Sequence, residues 1–219
     1  MRKNKINTLD YYTSKYNIDI AKAEKRRLVQ TENGTRTQLK EMLGEEIIKR
    51  YHLFDTLFPN NIGYKKVTNR KLQLAGADYE VYIEGQNDPV YIDLKSTVGP
   101  NYSMNEEDFD EVEPTEDLKI RKAAALEIYQ NKIFTNNAGK ITDYFLYIIC
   151  DDSGVYFSLL SFNSVRNTCL KHKDDYIIKD GVGHLKQHYP FKRYISNNGT
   201  GVYIKYPVIT TQLERRIVD

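Results

Sequence analysis

The stretch Gly76-Ala77-Asp78-Tyr79-Glu80-Val81, continued beyond a Gly85-Gln86-Asn87-Asp88 loop by Val90-Tyr91-Ile92-Asp93-Leu94-Lys95-Ser96-Thr97, decides how this chain is read. Tyr79–Ile83 alternates as a strand does, the Gly/Asn/Asp loop reads as a hairpin connection, and Val90–Leu94 is an apolar strand predicted to lie deep in a sheet. Side chains two apart on a strand share a face. Asp93 and Lys95 therefore project together with Tyr91, while Ile92 and Leu94 face the opposite side. One carboxylate, Asp78, stands at the mouth of the first strand. The second, Asp93, comes fifteen positions later near the end of the next, with a lysine two places on.

Those residue types fit one chemistry. A charged pair at the end of an apolar strand is costly unless it is paired or binds a metal. Hard divalent cations take oxygen ligands, so two carboxylates on adjacent strands suit Mg²⁺ completed by waters and a phosphate oxygen. The metal lowers the pKa of a bound water and offsets charge at phosphorus. A neighbouring ammonium orients the attacking water or stabilises developing negative charge. The bland alternative is an ordinary hairpin with a surface Asp–Lys pair. Glu80 is either a further ligand or an exposed strand acid, and Ser96 and Thr97 either contact phosphate or end the strand.

Upstream, Leu39, Met42, Leu43, Ile47 and Phe54 keep helical spacing, predicting a helix capped by Thr37 and running to about Phe54, with Asn33-Gly34 as a turn before it. Helical geometry puts Glu46 inside the apolar stripe and Glu45 on its rim. Residues 1–35 are polar and basic, with one weak helical stretch around Ile18–Val29. Downstream, 99–116 reads as an exposed loop, with acidic residues crowded into 106–117. A helix is expected over Glu116–Phe134, Tyr144–Cys150 as a central strand, Val155–Leu160 as its antiparallel partner, and a helix over Phe162–His172. Tyr176–Ile209 reads as short strands joined by Gly/Asn turns. The expected class is α/β (α+β), a mixed sheet flanked by helices. Its expected division is a basic N-terminal segment (1–36), a core domain (37–172) and a β-rich C-terminal extension of the same domain (173–219).

The Asp78…Asp93-Leu94-Lys95 pattern resembles the core motif of the PD-(D/E)xK, or restriction-endonuclease-like, superfamily. The resemblance covers residues 76–97 and extends more weakly over about 37–160. Ala77 stands where many members have proline. Ile92-Asp93-Leu94-Lys95-Ser96-Thr97 is also similar to the signature of the RecB-like branch, but the downstream Gln-x-x-x-Tyr of that branch is not met, since Ala125 precedes Tyr129 by four. The resemblance implies a restriction-endonuclease-like fold and a Mg²⁺-dependent DNA nuclease, restriction- or resolvase-like, in which Mn²⁺ substitutes for Mg²⁺. Asp78 and Asp93 would ligate metal, Lys95 would position the nucleophile, and a helix acid would assist. Resolvase-like members favour Glu45 for that last role, whereas the helical stripe favours Glu46 as catalytic residue and metal ligand; both stay open. Many members cut as homodimers, and basic or Gln residues on the helix after the motif often approach the substrate, a role that would fall here to Lys119, Arg121, Lys122, Gln130 or Lys132.

Composition bounds the remaining classes. With 219 residues, 40% hydrophobic and 28% charged, the chain has the makings of one sizeable domain. Its net charge of +2 leaves a nucleic-acid surface to local clustering, and basic residues do cluster in 1–52 and 171–216. Those segments and the 18 tyrosines support the alternative reading, a non-catalytic nucleic-acid- or protein-binding module on the same fold. Cys150 and Cys169 form no disulfide framework or zinc site, so a reducing, cytoplasmic setting is the simplest expectation. No signal peptide and no transmembrane run is expected. His52, His172, His184 and His188 are scattered and specify no zinc site. No Gly-x-x-x-x-Gly-Lys-Ser/Thr loop and no Gly-x-Ser-x-Gly elbow is present.

Overall fold

Two apolar stripes account for one layer of the fold. A computed structural model describes residues 7–26, 32–99, 119–127, 140–171, 176–179, 182–185, 193–195 and 202–216. In it, helix α3 (Glu32–Arg50) buries Leu39, Met42, Leu43, Ile47 and Ile48. Helix α1 (Thr8–Lys15), capped by the Asn7 side chain accepting from Leu9 N–H at 2.9 Å, adds Leu9 and Tyr12, and α2 (Ile20–Arg26) adds Ala23. Short α4 (Leu53–Leu57) adds Leu53 and Phe54.

This helical layer differs from the sequence expectation in three ways. The N-terminal segment is part of the core, because the buried faces of α1 and α2 pack into it. Asn33-Gly34 lies inside the first turn of α3, so Thr37 is an interior residue and no cap. The helix expected to reach Phe54 stops at Arg50, because His52 adopts a left-handed φ of 48° and the chain restarts as α4.

The sheet carries β1 (Asn61–Lys66), β2 (Tyr79–Ile83), β3 (Val90–Val98), β4 (Lys119–Glu127), β5 (Tyr144–Asp151), β6 (Gly154–Ser161), β9 (Arg193–Ile195) and β10 (Val202–Arg215). Their order is β1-β2-β3-β5-β6-β10-β4, with β9 also on β10. Strands β2 and β3 form the expected hairpin (Tyr79 opposite Ile92, Val81 opposite Val90), and β3 runs parallel to β5 from Ile92 opposite Tyr144 to Val98 opposite Cys150. The apolar run Tyr144–Cys150 is central as expected, with β6 antiparallel on its other side. Helix α5 (Arg70–Leu74) precedes β2, α6 (Phe162–Lys171) follows β6, and β7 (Tyr176–Lys179) and β8 (Val182–Leu185) make a separate hairpin.

Strand alternation sorts the two faces. Ile92, Leu146, Ile148 and Cys150 join the core shared with α1–α4. Phe145 and Tyr147 point the other way, and the Phe145 ring meets Phe162 of α6 edge-on at 5.6 Å. The result is a mixed sheet with helices on both faces.

The helix expected over Glu116–Phe134 is corrected by β4. Its nine residues pair antiparallel with β10, from Lys119 opposite Thr211 to Glu127 opposite Tyr203. The alanine run is helix-favouring in isolation, but a nine-residue ladder with a long strand overrides that local preference. Lys119, Arg121 and Lys122 therefore lie on an outer strand. Residues 128–134 fall outside the described residues, as do the acidic 106–117 stretch, Gln130, Lys132, His172 and His188. The C-terminal region is β-rich in its described residues, and it supplies β10, which joins β6 to β4 inside the main sheet. Among the described residues, no helix is long and apolar enough to cross a membrane.

Candidate active site

Asp78 sits one residue before β2, fixed by backbone bonds on both sides: its N–H donates to Ile92 O and its carbonyl accepts from Val67 N–H, each at 2.8 Å. Its side chain turns toward β3, where Oδ2 accepts from Leu94 N–H at 2.8 Å. This places its carboxyl beside Asp93, whose charge it feels. Burial first, and the Asp93 charge second, push the Asp78 carboxyl up to about 7, against the partial relief of the Leu94 N–H and the Lys95 ammonium. Asp93 is 4% exposed, and Lys95 Nζ stands 2.8 Å from its Oδ1. The three residues that the hairpin pattern singled out are thus brought together, with Asp93 and Lys95 on the Phe145–Tyr147 face.

A fourth member was not foreseen. Lys140 Nζ lies 3.7 Å from Asp93 Oδ2, and its side chain is only 4% exposed. Burial holds its amine below the ordinary lysine range, the Asp93 charge opposing that and the Lys95 charge adding to it. The lysine reaches the site because 140–143 runs beside 75–76 and 91. Ile141 N–H donates to Ala75 O at 3.0 Å, Thr142 Oγ1 to Gly76 O at 2.5 Å, and Asp143 N–H to Tyr91 O at 2.9 Å. Gly76, with φ +92°, is required here. A Cβ would meet Lys140 Cε at 2.8 Å and Thr142 Oγ1 at 2.6 Å, and would fall inside contact with Lys140 Nζ. The glycine was visible in the sequence, but nothing there linked it to a lysine beyond the next strand.

The two helix acids are placed elsewhere. Gly44 packs on β3 so closely that a Cβ would collide with Ser96 Oγ and sit 3.3 Å from Leu94 Cδ2. Helix α3 therefore covers the face of β3 opposite to Asp93 and Lys95. Glu45 pairs with Lys66 and, at 3.8 Å, with Arg26. Glu46 stands 4.0 Å from Arg50, one turn on. Both line a separate cavity of about 470 Å³ together with Tyr16, Lys22, Lys49 and Tyr79. No contact joins either glutamate to Asp78 or Asp93 among the described residues. Glu80 is likewise engaged, accepting from Tyr82 Oη at 2.5 Å and facing Lys65 at 2.8 Å. Ser96 Oγ is buried beneath α3 without a hydrogen-bond partner, so it is not presented to a phosphate.

As a donor set, Asp78 and Asp93 suit a magnesium-like ion, which is commonly held by one or two carboxylates with waters and substrate phosphate supplying the rest. Two acids that crowd each other enough to raise one pKa are also a pair that a cation relieves. Among the described residues, no group of three His, Cys, Asp or Glu side chains forms a cage. No known protein family, curated protein or solved structure matches the chain.

Proposed function

We propose that this chain is a Mg²⁺-dependent nuclease hydrolysing DNA phosphodiester bonds, restriction- or resolvase-like in type, on a restriction-endonuclease-like version of its mixed sheet. The observation that carries the reading is the placing of the two aspartates side by side: Asp78 Oδ2 accepts from Leu94 N–H at 2.8 Å, next to Asp93, whose carboxylate has the Lys95 ammonium 2.8 Å away. A bound Mg²⁺ would supply Lewis-acid activation of water and charge neutralisation at phosphorus. Asp78 and Asp93 provide the oxygen ligands. Lys95, about a quarter exposed, has its stem on the sheet and its amine at the rim, where it can donate to a phosphate oxygen. The ion pair with Asp93 holds that amine in place before substrate arrives, so its positioning costs little at the moment of reaction. Mn²⁺ is expected to replace Mg²⁺. A second copy of the chain is the natural partner if both strands of a duplex are cut.

The test is incubation of the purified protein with supercoiled, linear, single-stranded and branched DNA in Mg²⁺ or Mn²⁺. Cleavage by wild type and its loss in Asp93→Ala and Lys95→Ala supports the assignment. No cleavage of any substrate, or equal cleavage by the variants, refutes it.

One observation favours a second reading. Glu45 and Glu46 are engaged with neighbouring cations rather than with the pair, which suits a non-catalytic nucleic-acid- or protein-binding module on the same fold. Such a module binds DNA with salt-dependent affinity that survives Asp93→Ala, and gains no thermal stability from Mn²⁺.

A further inference from the structure

Asp93 meets two ammonium groups, one at each oxygen: Lys95 at 2.8 Å on Oδ1 and Lys140 at 3.7 Å on Oδ2. The two lysines are not equivalent. Lys95 is partly open to solvent, so its charge is hydrated. Lys140 has its side chain sealed, and a buried ammonium persists only beside a compensating charge. The carboxylate pair is that charge.

The seat of Lys140 is built for it. The end of its side chain lies over the bare Cα of Gly76, where any Cβ would displace it. The backbone beside it is tied to the turn that leads into Asp78 by Ile141 N–H to Ala75 O and Thr142 Oγ1 to Gly76 O. It is tied to the Asp93 strand by Asp143 N–H to Tyr91 O and Tyr91 N–H to Asp143 Oδ2 at 2.8 Å. The turn leading into Asp78 and the strand carrying Asp93 thus both hold the segment that carries the amine.

We propose that Lys140 is the resident counter-cation of the Asp78–Asp93 pair, a positioning residue whose ammonium is displaced from Asp93 when a divalent cation binds. The inference rests on the metal-binding reading above. The Asp93 carboxylate already lies between two ammonium groups, and a dication added beside it must repel both amines. The 3.7 Å contact, longer than a tight charge-assisted hydrogen bond, gives way before the 2.8 Å one. Lys140 thereby weakens cation binding while keeping the metal-free acids compensated and in position.

The experiment compares Mn²⁺ binding by wild type and Lys140→Met, using calorimetry and the Mn²⁺-dependent thermal shift. Lys140→Met is expected to bind Mn²⁺ about tenfold more tightly, the effect of removing one repelling unit charge at this range. Unchanged or weaker binding overturns the proposal. A second measurement uses the wild-type chain, so it does not depend on the variant folding. Amine-directed labelling read by mass spectrometry is expected to modify Lys140 several-fold faster with Mn²⁺ than without it, and equal rates overturn the proposal. The two levels of failure are distinct. A wild-type protein that binds no Mn²⁺ overturns both the metal reading and the role of Lys140. A wild type that binds Mn²⁺ with Lys140→Met unchanged overturns only the latter.

Discussion

The Asp78–Asp93 pair and the Glu45–Glu46 pair are both acidic doublets beside β3, yet the fold treats them oppositely. On α3 each glutamate is given its own cation, Lys66 and Arg26 for Glu45 and Arg50 for Glu46. Across the strand, two aspartates stand side by side within the field of Lys95 and Lys140. Separately neutralised acids are ordinary surface chemistry. Neighbouring buried acids, one with its carboxyl raised to about 7 by burial first and by the other's charge second, are a pair that a cation can relieve.

The comparison breaks most visibly in activity. Under the nuclease reading, Asp93→Ala and Lys95→Ala lower cleavage by about 100-fold or more with the far-ultraviolet dichroism unchanged, while Glu45→Gln lowers it far less. A Glu45→Gln variant as dead as Asp93→Ala would place the helix acid back in the site. The same contrast is expected in metal binding. At Mn²⁺ concentrations about 100-fold above the dissociation constant, wild type, Glu45→Gln and Glu46→Gln gain about 2.7 kcal/mol, and Asp78→Asn and Asp93→Asn gain little. Thermal melts with and without Mn²⁺ read this directly.

The wall between the two doublets is the Gly44 contact. Gly44→Ala forces a methyl onto Ser96 Oγ and is expected to cost about 1–3 kcal/mol in urea unfolding. A comparable effect follows from pH. Asp78 holds its proton to about 7 in the folded chain against 3.8 as the ordinary value, so its stabilising contribution is complete below about 3.8 and is lost as pH rises through about 7. Metal-free wild type should therefore lose stability relative to Asp78→Asn between those values, by as much as roughly 4 kcal/mol, and hold level above them. Urea midpoints of the two proteins across that range check the sign. The smallest effect is Glu46→Gln. Its exposed one-turn pair with Arg50 at 4.0 Å should change stability by less than about 0.5 kcal/mol.

What could be read without coordinates follows from how local each signal is. The β2–β3 hairpin was legible because strand alternation, the turn residues and the two aspartates all lie within one short stretch. The Tyr144–Cys150 strand was legible because a strand buried on both faces is a continuous apolar run. Strand β4 was not, because Ala123–Ala125 favours helix locally and its pairing partner Tyr206-Pro207 lies far along the chain. Lys140 was hidden for the same reason: its place is set by contacts with Ala75 and Gly76, which no spacing rule connects to it. Helical phase put Glu46 in the apolar stripe, but it could not reveal that the whole helix lies on the far side of β3 from Asp93.

Strand β10 has a consequence for the order in which the protein is made. It pairs with β6 through Thr211–Arg215 and with β4 through Tyr203–Thr211, and among the described residues β4 and β6 meet through nothing else in the sheet. Arg216, just past it, clamps Asp152, which also accepts from Thr8 Oγ1, and Glu214 reaches Lys15 at 3.0 Å. On the ribosome, then, Lys119–Glu127 emerges with no neighbour to pair with, and the first helix waits for part of its docking surface, until residues 202–216 have been synthesised. The nascent chain must carry an open strand edge until then. That makes the interval before β10 arrives, rather than the finished molecule, the point of greatest exposure to mispairing and to chaperones.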